Sequence, residues 1–213
     1  MDPPGKARKT RMERFESMTA NMTLPNILTS IRLLLSPVLA ILFLNDSPLA
    51  RYAILGIVIL SELTDLFDGY MARKRGQVTD LGKLLDPMAD SIYRDTIFLC
   101  LAVVGQVSLL LVLPILYRDS IISTLRTVCA YKGIVLAARM SGKVKAVLQA
   151  TVIILILLLR ILALYIPALG ASLYFIANCL MAFACVVTLY SAYDYLSTLV
   201  PIIREADKQH AAD

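Results

Sequence analysis

Four aspartates, arranged as two pairs, are the residues whose types and spacing best fit a chemical role. Asp65 and Asp68 are three residues apart, and Asp86 and Asp90 are four residues apart. If both segments are helical, each pair lies on one helix face with its Cβ atoms about 5–6 Å apart. Because the connection between the segments is short, we expect the two helices to be antiparallel neighbours. The two pairs can then meet at the same depth.

The chemistry of such a cluster depends on what neutralises it. Four carboxylates in a small volume repel one another in a low dielectric unless they are protonated or paired with a cation. Oxygen ligands suit Mg²⁺ or Mn²⁺, above all where substrate phosphates complete the coordination. Gly69 and Gly82 lie close to the aspartates and leave room for a bulky ligand beside the backbone. A single aspartate near a helix end is commonly a cap, whereas four on two apolar segments predict a metal site with space for a nucleotide.

Basic residues further along the chain form a second candidate site. Arg118 and Arg126 are eight residues apart, which is about two helical turns, so they share a face. Lys143 and Lys145 follow at the start of the next apolar segment. Together these residues predict a pocket for an acceptor that carries a phosphate. Alternatively, the charges only mark the cytoplasmic side of a membrane, an explanation that is weakest for Arg118 because it lies within an apolar segment.

The composition indicates what kind of molecule must position these residues. Hydrophobic residues make up 58% of the 213 residues and charged ones only 17%, against about 25% charged residues in soluble domains. We therefore predict an all-α integral membrane protein with no nucleic-acid partner. Residues 1–22 are expected to form a polar cytoplasmic tail or interfacial helix, 23–203 a single membrane domain, and 204–213 a short polar tail.

Six apolar segments are long enough to span a bilayer, for which about 20 residues are needed. Basic residues cluster before the first segment, between the second and third, and between the fourth and fifth. This alternation is expected for six spans with both termini in the cytoplasm, and it puts the aspartates at the cytoplasmic ends of helices two and three. Pro114 is expected to interrupt the fourth segment. The segments are 27–44, 52–72, 87–105, 107–128, 146–166 and 171–200.

The aspartates belong to a longer pattern that resembles the signature of the CDP-alcohol phosphatidyltransferase family, DxxDGxxAR(x8)GxxxDxxxD. Residues 65–90 fill every position of this pattern with unbroken spacing. The resemblance implies a six-span enzyme that uses CDP-diacylglycerol and Mg²⁺ or Mn²⁺, as two ions. It also implies that the four aspartates bind the metal and that Asp90 is the general base. The implied CDP-binding residues are Gly69, Ala72, Arg73 and Gly82, with Asn26 and Thr29 at the start of the first helix.

Two further segments resemble the phosphatidylglycerophosphate synthase branch of this family. Residues 118–126 and 142–146 are similar to its R-E-x-x-x-S-x-L-R and G-K-x-K-T elements, with Asp119 in place of Glu and Ala146 in place of Thr. Ser91 stands where the branch commonly has Lys. The resemblance implies that the phosphatidyl group passes to sn-glycerol 3-phosphate, giving phosphatidylglycerophosphate and CMP.

Other functions are compatible with parts of this pattern. A sister enzyme could use inositol phosphate, serine or phosphatidylglycerol, although the basic pocket disfavours serine. A cation channel or transporter would place polar residues in both membrane halves, whereas the charge here is almost wholly on the cytoplasmic side. A structural membrane protein would have no use for the acidic cluster. Since members of the family are often dimers, we expect a homodimer, and we favour the bacterial plasma membrane over the mitochondrial inner membrane.

Overall fold

The computed structural model of the protein describes six α-helices. It describes the backbone of residues 24–45, 47–75, 80–131 and 139–210, and the side chains of 30–45, 47–65, 87–129, 139–199 and 201. Over this part of the chain there is no strand. Residues 1–22, predicted as a tail or interfacial helix, lie outside it. The helices are α1 (Leu24–Asn45), α2 (Pro48–Arg75), α3 (Asp80–Val103), α4 (Leu109–Tyr131), α5 (Met140–Leu162) and α6 (Pro167–His210).

Each predicted apolar segment corresponds to one of these helices, so the all-α prediction is confirmed. Several helices extend further at their polar ends than the hydropathy predicted, since α3 begins at Asp80, α5 begins at Met140 and α6 continues to His210. Apolar patterning detects only the part of a helix that is buried in protein or lipid. Lys, Arg, Glu and Ala are good helix formers and continue the helix beyond that part. As a result α6 covers most of 204–213, the segment predicted as a tail.

Pro114 does not interrupt the fourth helix, contrary to our prediction. α4 is continuous, with Pro114 inside it. A proline within a helix removes one N–H and conflicts with the carbonyl four residues earlier, which here belongs to Leu110 in the first helical turn. Little of the helix lies before that point, so few hydrogen bonds are lost. Pro37 and Pro87 are likewise accommodated within α1 and α3.

The six helices pack around one apolar core. α3 packs against α1, α4 and α5, while α2 packs against α1 and α5, and α6 packs against α4 and α5. Every helix contributes buried side chains to the core, among them Phe43, Ile97, Ile115, Ile156 and Met181. This packing brings the polar ends of α1, α2 and α3 together, which is where the aspartates are.

The outer surface of the bundle is apolar as well. Large hydrophobic side chains such as Leu44, Leu110 and Phe175 are mostly exposed, and contiguous apolar surface of this kind marks contact with a membrane or another protein. Within the described part of the chain, Met140–Leu162 and Pro167–Leu199 are long and apolar enough to cross a membrane. These features indicate a membrane protein, whereas six spans stay a prediction.

Candidate active site

Two of the predicted metal ligands, Asp65 on α2 and Asp90 on α3, meet at one arginine of α1. The Nη2 atom of Arg32 lies 2.7 Å from an oxygen of Asp65, and its Nη1 atom donates a hydrogen bond to Asp90. Because both nitrogens belong to one guanidinium, the two carboxylates converge although they come from different helices. About 42% of the Asp65 side chain and 22% of the Asp90 side chain are exposed. A ligand can therefore reach both groups.

The remaining residues of the aspartate motif lie on the same helices, but their side chains are outside the described residues. The backbone is helical to Arg75 in α2 and from Asp80 in α3. Helical backbone is the premise on which the pairing of Asp65 with Asp68, and of Asp86 with Asp90, depends. The predicted site residues whose side chains are not described are Asn26, Thr29, Asp68, Gly69, Ala72, Arg73, Gly82 and Asp86.

The described part of this site fits a divalent cation in its donor chemistry. Among the side chains that the structure describes, no three carboxylate, histidine or cysteine groups come together as a complete metal site. Asp65 and Asp90 nonetheless converge on one cationic group, and carboxylate oxygens are the ligands that hard divalent cations take. Asp68 and Asp86 each lie about one helical turn from this pair in the sequence.

A second ion pair joins α2 and α3 one turn further into the bundle. The Nε and Nη2 atoms of Arg94 each lie 3.4 Å from an oxygen of Glu62. Glu62 is three residues before Asp65, and Arg94 is four residues after Asp90. The pair therefore ties together the two helices that carry the aspartates, directly beneath them.

A small polar pocket lies between α3 and α4, beside the aspartates. Its volume is about 40 Å³, a little more than the roughly 30 Å³ that one water molecule occupies in the liquid. Ser91, the residue after Asp90, lines it from α3. Its full lining is Pro87, Ser91, Arg118, Asp119, Ile122, Ser123 and Arg126. The pocket therefore brings the residue after the predicted general base to both predicted acceptor-binding arginines.

Arg118 is held by groups from α4 and α6. Its Nη1 atom lies 2.9 Å from one oxygen of Asp119, and its Nη2 atom donates to the hydroxyl of Ser191 at 2.7 Å. The other oxygen of Asp119 accepts a hydrogen bond from Lys145 on α5. Only 1% of the Asp119 side chain is exposed. One buried carboxylate thus brings two of the predicted acceptor-binding residues together.

Arg126 has a different environment from Arg118. Its Nε atom donates to the hydroxyl of Tyr195 at 2.8 Å, and its guanidinium lies over the tyrosine ring, 5.1 Å from the centroid. In the described part of the chain it contacts no carboxylate. Gly142, at the start of α5, approaches it so closely that a Cβ there would lie 3.9 Å from an Arg126 nitrogen. The first turn of α5 therefore lies beside Arg126.

The two predicted lysines do not share one position. Lys145 is buried behind the pocket, where it contacts Asp119. Lys143 is exposed, and neither lysine is among the described residues that line the pocket. The structure thus brings Lys145 to Arg118 through Asp119, and it leaves Lys143 at the surface beside them.

Sequence reasoning missed several charged residues of this region. The sequence motifs assigned no role to Arg32 and included Asp119 only as a replacement for Glu. A signal was available, because ionisable residues inside apolar segments are costly and need partners. The residues missed are Arg32, Glu62, Arg94, Asp95 and Asp119.

Comparison with known proteins agrees with the resemblance that the aspartate motif indicates. Residues 22–190 match the model of a family described as CDP-alcohol phosphatidyltransferase. A relative from Rickettsia bellii, named CDP-diacylglycerol--glycerol-3-phosphate 3-phosphatidyltransferase, is 36% identical over 132 residues, which are 62% of this chain and 73% of the relative. A protein of the same name from Bacillus subtilis is 33% identical over 63% of this chain and 76% of its own length.

A third relative covers more of the chain. It comes from Mycobacterium tuberculosis and is named probable phosphatidylglycerophosphate synthase. It is 30% identical over 177 residues, which are 82% of this chain and 80% of the relative. The family match runs from residue 22 to residue 190 and so includes both the aspartate segment and the residues of the basic pocket.

Proposed function

The protein belongs to the CDP-alcohol phosphatidyltransferase family, and we propose that it transfers the phosphatidyl group of CDP-diacylglycerol to sn-glycerol 3-phosphate. The products are phosphatidylglycerophosphate and CMP, so the enzyme serves phospholipid biosynthesis. The relatives cited above bear names that state this reaction.

The observation that carries the choice of acceptor is the pocket between α3 and α4. Its polar lining consists of two arginines, Arg118 and Arg126, two serines, Ser91 and Ser123, and Asp119, whose charge is paired with Arg118 and Lys145. Arginines and hydroxyls in such an arrangement suit the oxygens of a phosphate. Because Ser91 directly follows Asp90, a phosphate held in this pocket keeps the rest of a small alcohol close to the aspartates.

Family members depend on a divalent metal. We assign the binding of two ions, either Mg²⁺ or Mn²⁺, to the four aspartates of the motif, Asp65, Asp68, Asp86 and Asp90. When bound, the cations offset the negative charge of the pyrophosphate and of the leaving CMP. The convergence of Asp65 and Asp90 at Arg32 supports this assignment.

The chain's own residues supply the rest of the chemistry. Asp90 accepts the proton of the acceptor hydroxyl as the hydroxyl oxygen bonds to the β-phosphorus. The bond from that phosphorus to the CMP oxygen breaks, and CMP leaves with the electron pair. Arg32 holds the Asp90 carboxylate in place for this step. The CDP group is assigned to Gly69, Ala72, Arg73 and Gly82, with Asn26 and Thr29 at one side.

The enzyme in this proposal is a multi-pass membrane protein. We assign six spans with both termini in the cytoplasm, because basic residues cluster on alternate connections. The active site then faces the cytoplasm, where CDP-diacylglycerol presents its nucleotide. We assign the protein to a bacterial plasma membrane, in keeping with the bacterial relatives, and expect a homodimer.

The experiment that tests this function measures CMP release by the purified protein in detergent with CDP-diacylglycerol and Mg²⁺. Glycerol 3-phosphate, inositol phosphate, inositol, serine and phosphatidylglycerol are offered separately, and the Asp90→Asn variant reports any contaminating activity. Release only with glycerol 3-phosphate is expected. Release with inositol phosphate or phosphatidylglycerol, which also carry a phosphate group, would keep the basic pocket and overturn the acceptor, whereas release with serine or inositol would overturn both.

A further inference from the structure

A buried charge cluster lies behind the acceptor pocket at the junction of three helices. It consists of Arg118 and Asp119 on α4, Lys145 on α5 and Ser191 on α6. We infer that Asp119 is the positioning residue that fixes the guanidinium of Arg118 for a phosphate-bearing acceptor. This inference rests on the proposed function, since it names how that acceptor is held.

The first argument is that both oxygens of Asp119 are engaged with cations. One faces Arg118 at 2.9 Å and the other accepts from Lys145. A carboxylate in the wall of an anion-binding pocket would repel its ligand unless its charge were balanced. Even with the neighbouring Asp95 counted as anionic, Arg118, Lys145 and Arg126 leave a positive balance. Asp119 can thus orient cations in this wall without making the pocket unfavourable for an anion.

The second argument is the state of the Arg118 guanidinium. Two of its three nitrogens are held, one by Asp119 and one by Ser191. The third, Nε, is buried and has no hydrogen-bond partner among the described residues. Leaving a buried donor unpaired is costly, so such atoms call for an explanation. Arg118 lines the pocket, and an oxygen of the bound acceptor could accept the Nε–H hydrogen bond that no described residue accepts.

An ion pair with only a structural role would explain the contact between Lys145 and Asp119 but not the second cation, Arg118, on the same carboxylate. Lys145 and Asp119 alone would form a neutral buried pair, and nothing in that pair requires a second cation on the same carboxylate. The contact with Ser191 further restricts Arg118 to one orientation. Preorganisation of this kind lowers the entropy lost when a ligand binds. The positioning role therefore predicts an effect on acceptor binding that exceeds any effect on lipid binding.

The test compares two substitutions of Asp119 in the full-length enzyme. Asp119→Asn removes the charge and should raise the KM for glycerol 3-phosphate about tenfold or more, with the KM for CDP-diacylglycerol changed less than about twofold. Asp119→Glu keeps a carboxylate and should restore the acceptor KM to within about threefold of the unsubstituted enzyme. Equal increases in both KM values, or equal effects of Asn and Glu, would overturn the inference.

A second pair of variants covers the case in which Asp119→Asn does not fold. Ser191→Ala removes only the hydroxyl that binds Arg118 and should raise the acceptor KM about threefold. Thr188→Val is the matched control, because Thr188 is also buried on α6 but bonds Gln149 instead. If the two variants have the same acceptor KM, the fixed orientation of Arg118 does not contribute to acceptor binding and the inference fails.

The unsubstituted enzyme separates failure of this inference from failure of the proposed function. If none of the phosphate-bearing acceptors leads to CMP release, the proposed function and the inference both fail. If glycerol 3-phosphate does support CMP release, but the Ser191 and Asp119 variants raise the acceptor KM no more than the lipid KM, the function stands and the positioning role is wrong.

Discussion

The two charged regions of the active site have opposite arrangements. In the aspartate region one cation, Arg32, joins two carboxylates, Asp65 and Asp90. In the acceptor region one carboxylate, Asp119, joins two cations, Arg118 and Lys145. The first therefore has an excess of negative charge and suits a metal ion, while the second has an excess of positive charge and suits a phosphate.

The two regions also differ in how accessible they are. Asp65 and Asp90 are partly exposed, whereas the Asp119 and Lys145 side chains are 1% and 5% exposed. An ion pair open to solvent is weak and can exchange partners, but breaking a buried pair is strongly unfavourable. Asp65, the more exposed of the two aspartates, can thus take other ligands while Arg32 holds Asp90, and Arg118 keeps one orientation. This contrast predicts which substitutions affect chemistry and which affect only binding.

The largest effect is expected at the proposed general base. Asp90→Asn removes the group that accepts the hydroxyl proton, so turnover should fall by about a hundredfold to ten-thousandfold. CMP release under saturating substrates measures this. Binding of CDP-diacylglycerol, followed with a labelled lipid, should be largely retained. Turnover close to that of the unsubstituted enzyme would remove Asp90 as the base.

The next effect concerns the metal at the open site. Asp65→Asn removes the negative charge of one metal ligand. The Mg²⁺ concentration for half-maximal activity should therefore rise about tenfold or more. Chelation should abolish CMP release in the unsubstituted enzyme, with recovery on adding Mg²⁺ or Mn²⁺. Thermal unfolding with and without Mg²⁺ provides a readout independent of turnover. If the Asp65→Asn enzyme is stabilised by the same Mg²⁺ concentrations as the unsubstituted enzyme, Asp65 does not bind the metal.

Much of the aspartate region could be predicted from the sequence, because its information is local. The spacing of Asp65, Asp68, Asp86 and Asp90 depends only on helical periodicity, and the backbone of α2 and α3 is helical over these positions. Arg32 could not be assigned to them in this way. Its contact requires α1 to pack against α3, and that packing follows from the three-dimensional arrangement of six helices.

The acceptor region was less predictable for two physical reasons. Arg118 and Asp119 are adjacent in sequence, and adjacent helix residues do not face each other. Their contact forms because the long arginine side chain reaches around the helix. In addition, α5 begins at Met140, before the apolar segment that hydropathy detects. Only this earlier start puts Lys145 inside the bundle and leaves Lys143 outside it.

A third prediction separates the two arginines of the pocket. Arg126→Ala should raise the acceptor KM about tenfold to a hundredfold, the usual contribution of a hydrogen bond to a charged group. Since Arg126 contacts no carboxylate in the described part of the chain, its loss leaves none of the described carboxylates unpaired, and we expect the folded protein in normal yield. Arg126→Lys should recover part of the affinity. If both KM values rise equally, Arg126 does not bind the acceptor.

The smallest effect is expected at Lys143, which we predicted as an acceptor ligand. Lys143 is exposed and does not line the pocket, so it can act on the acceptor only through solvent-screened attraction. Lys143→Ala should therefore change the acceptor KM by no more than about twofold at physiological salt. Measuring KM at low salt should enlarge the effect, because screening is then weaker. A tenfold loss that is independent of salt would show that the first turn of α5 closes onto the acceptor, and it would make the acceptor region less rigid than its buried contacts indicate.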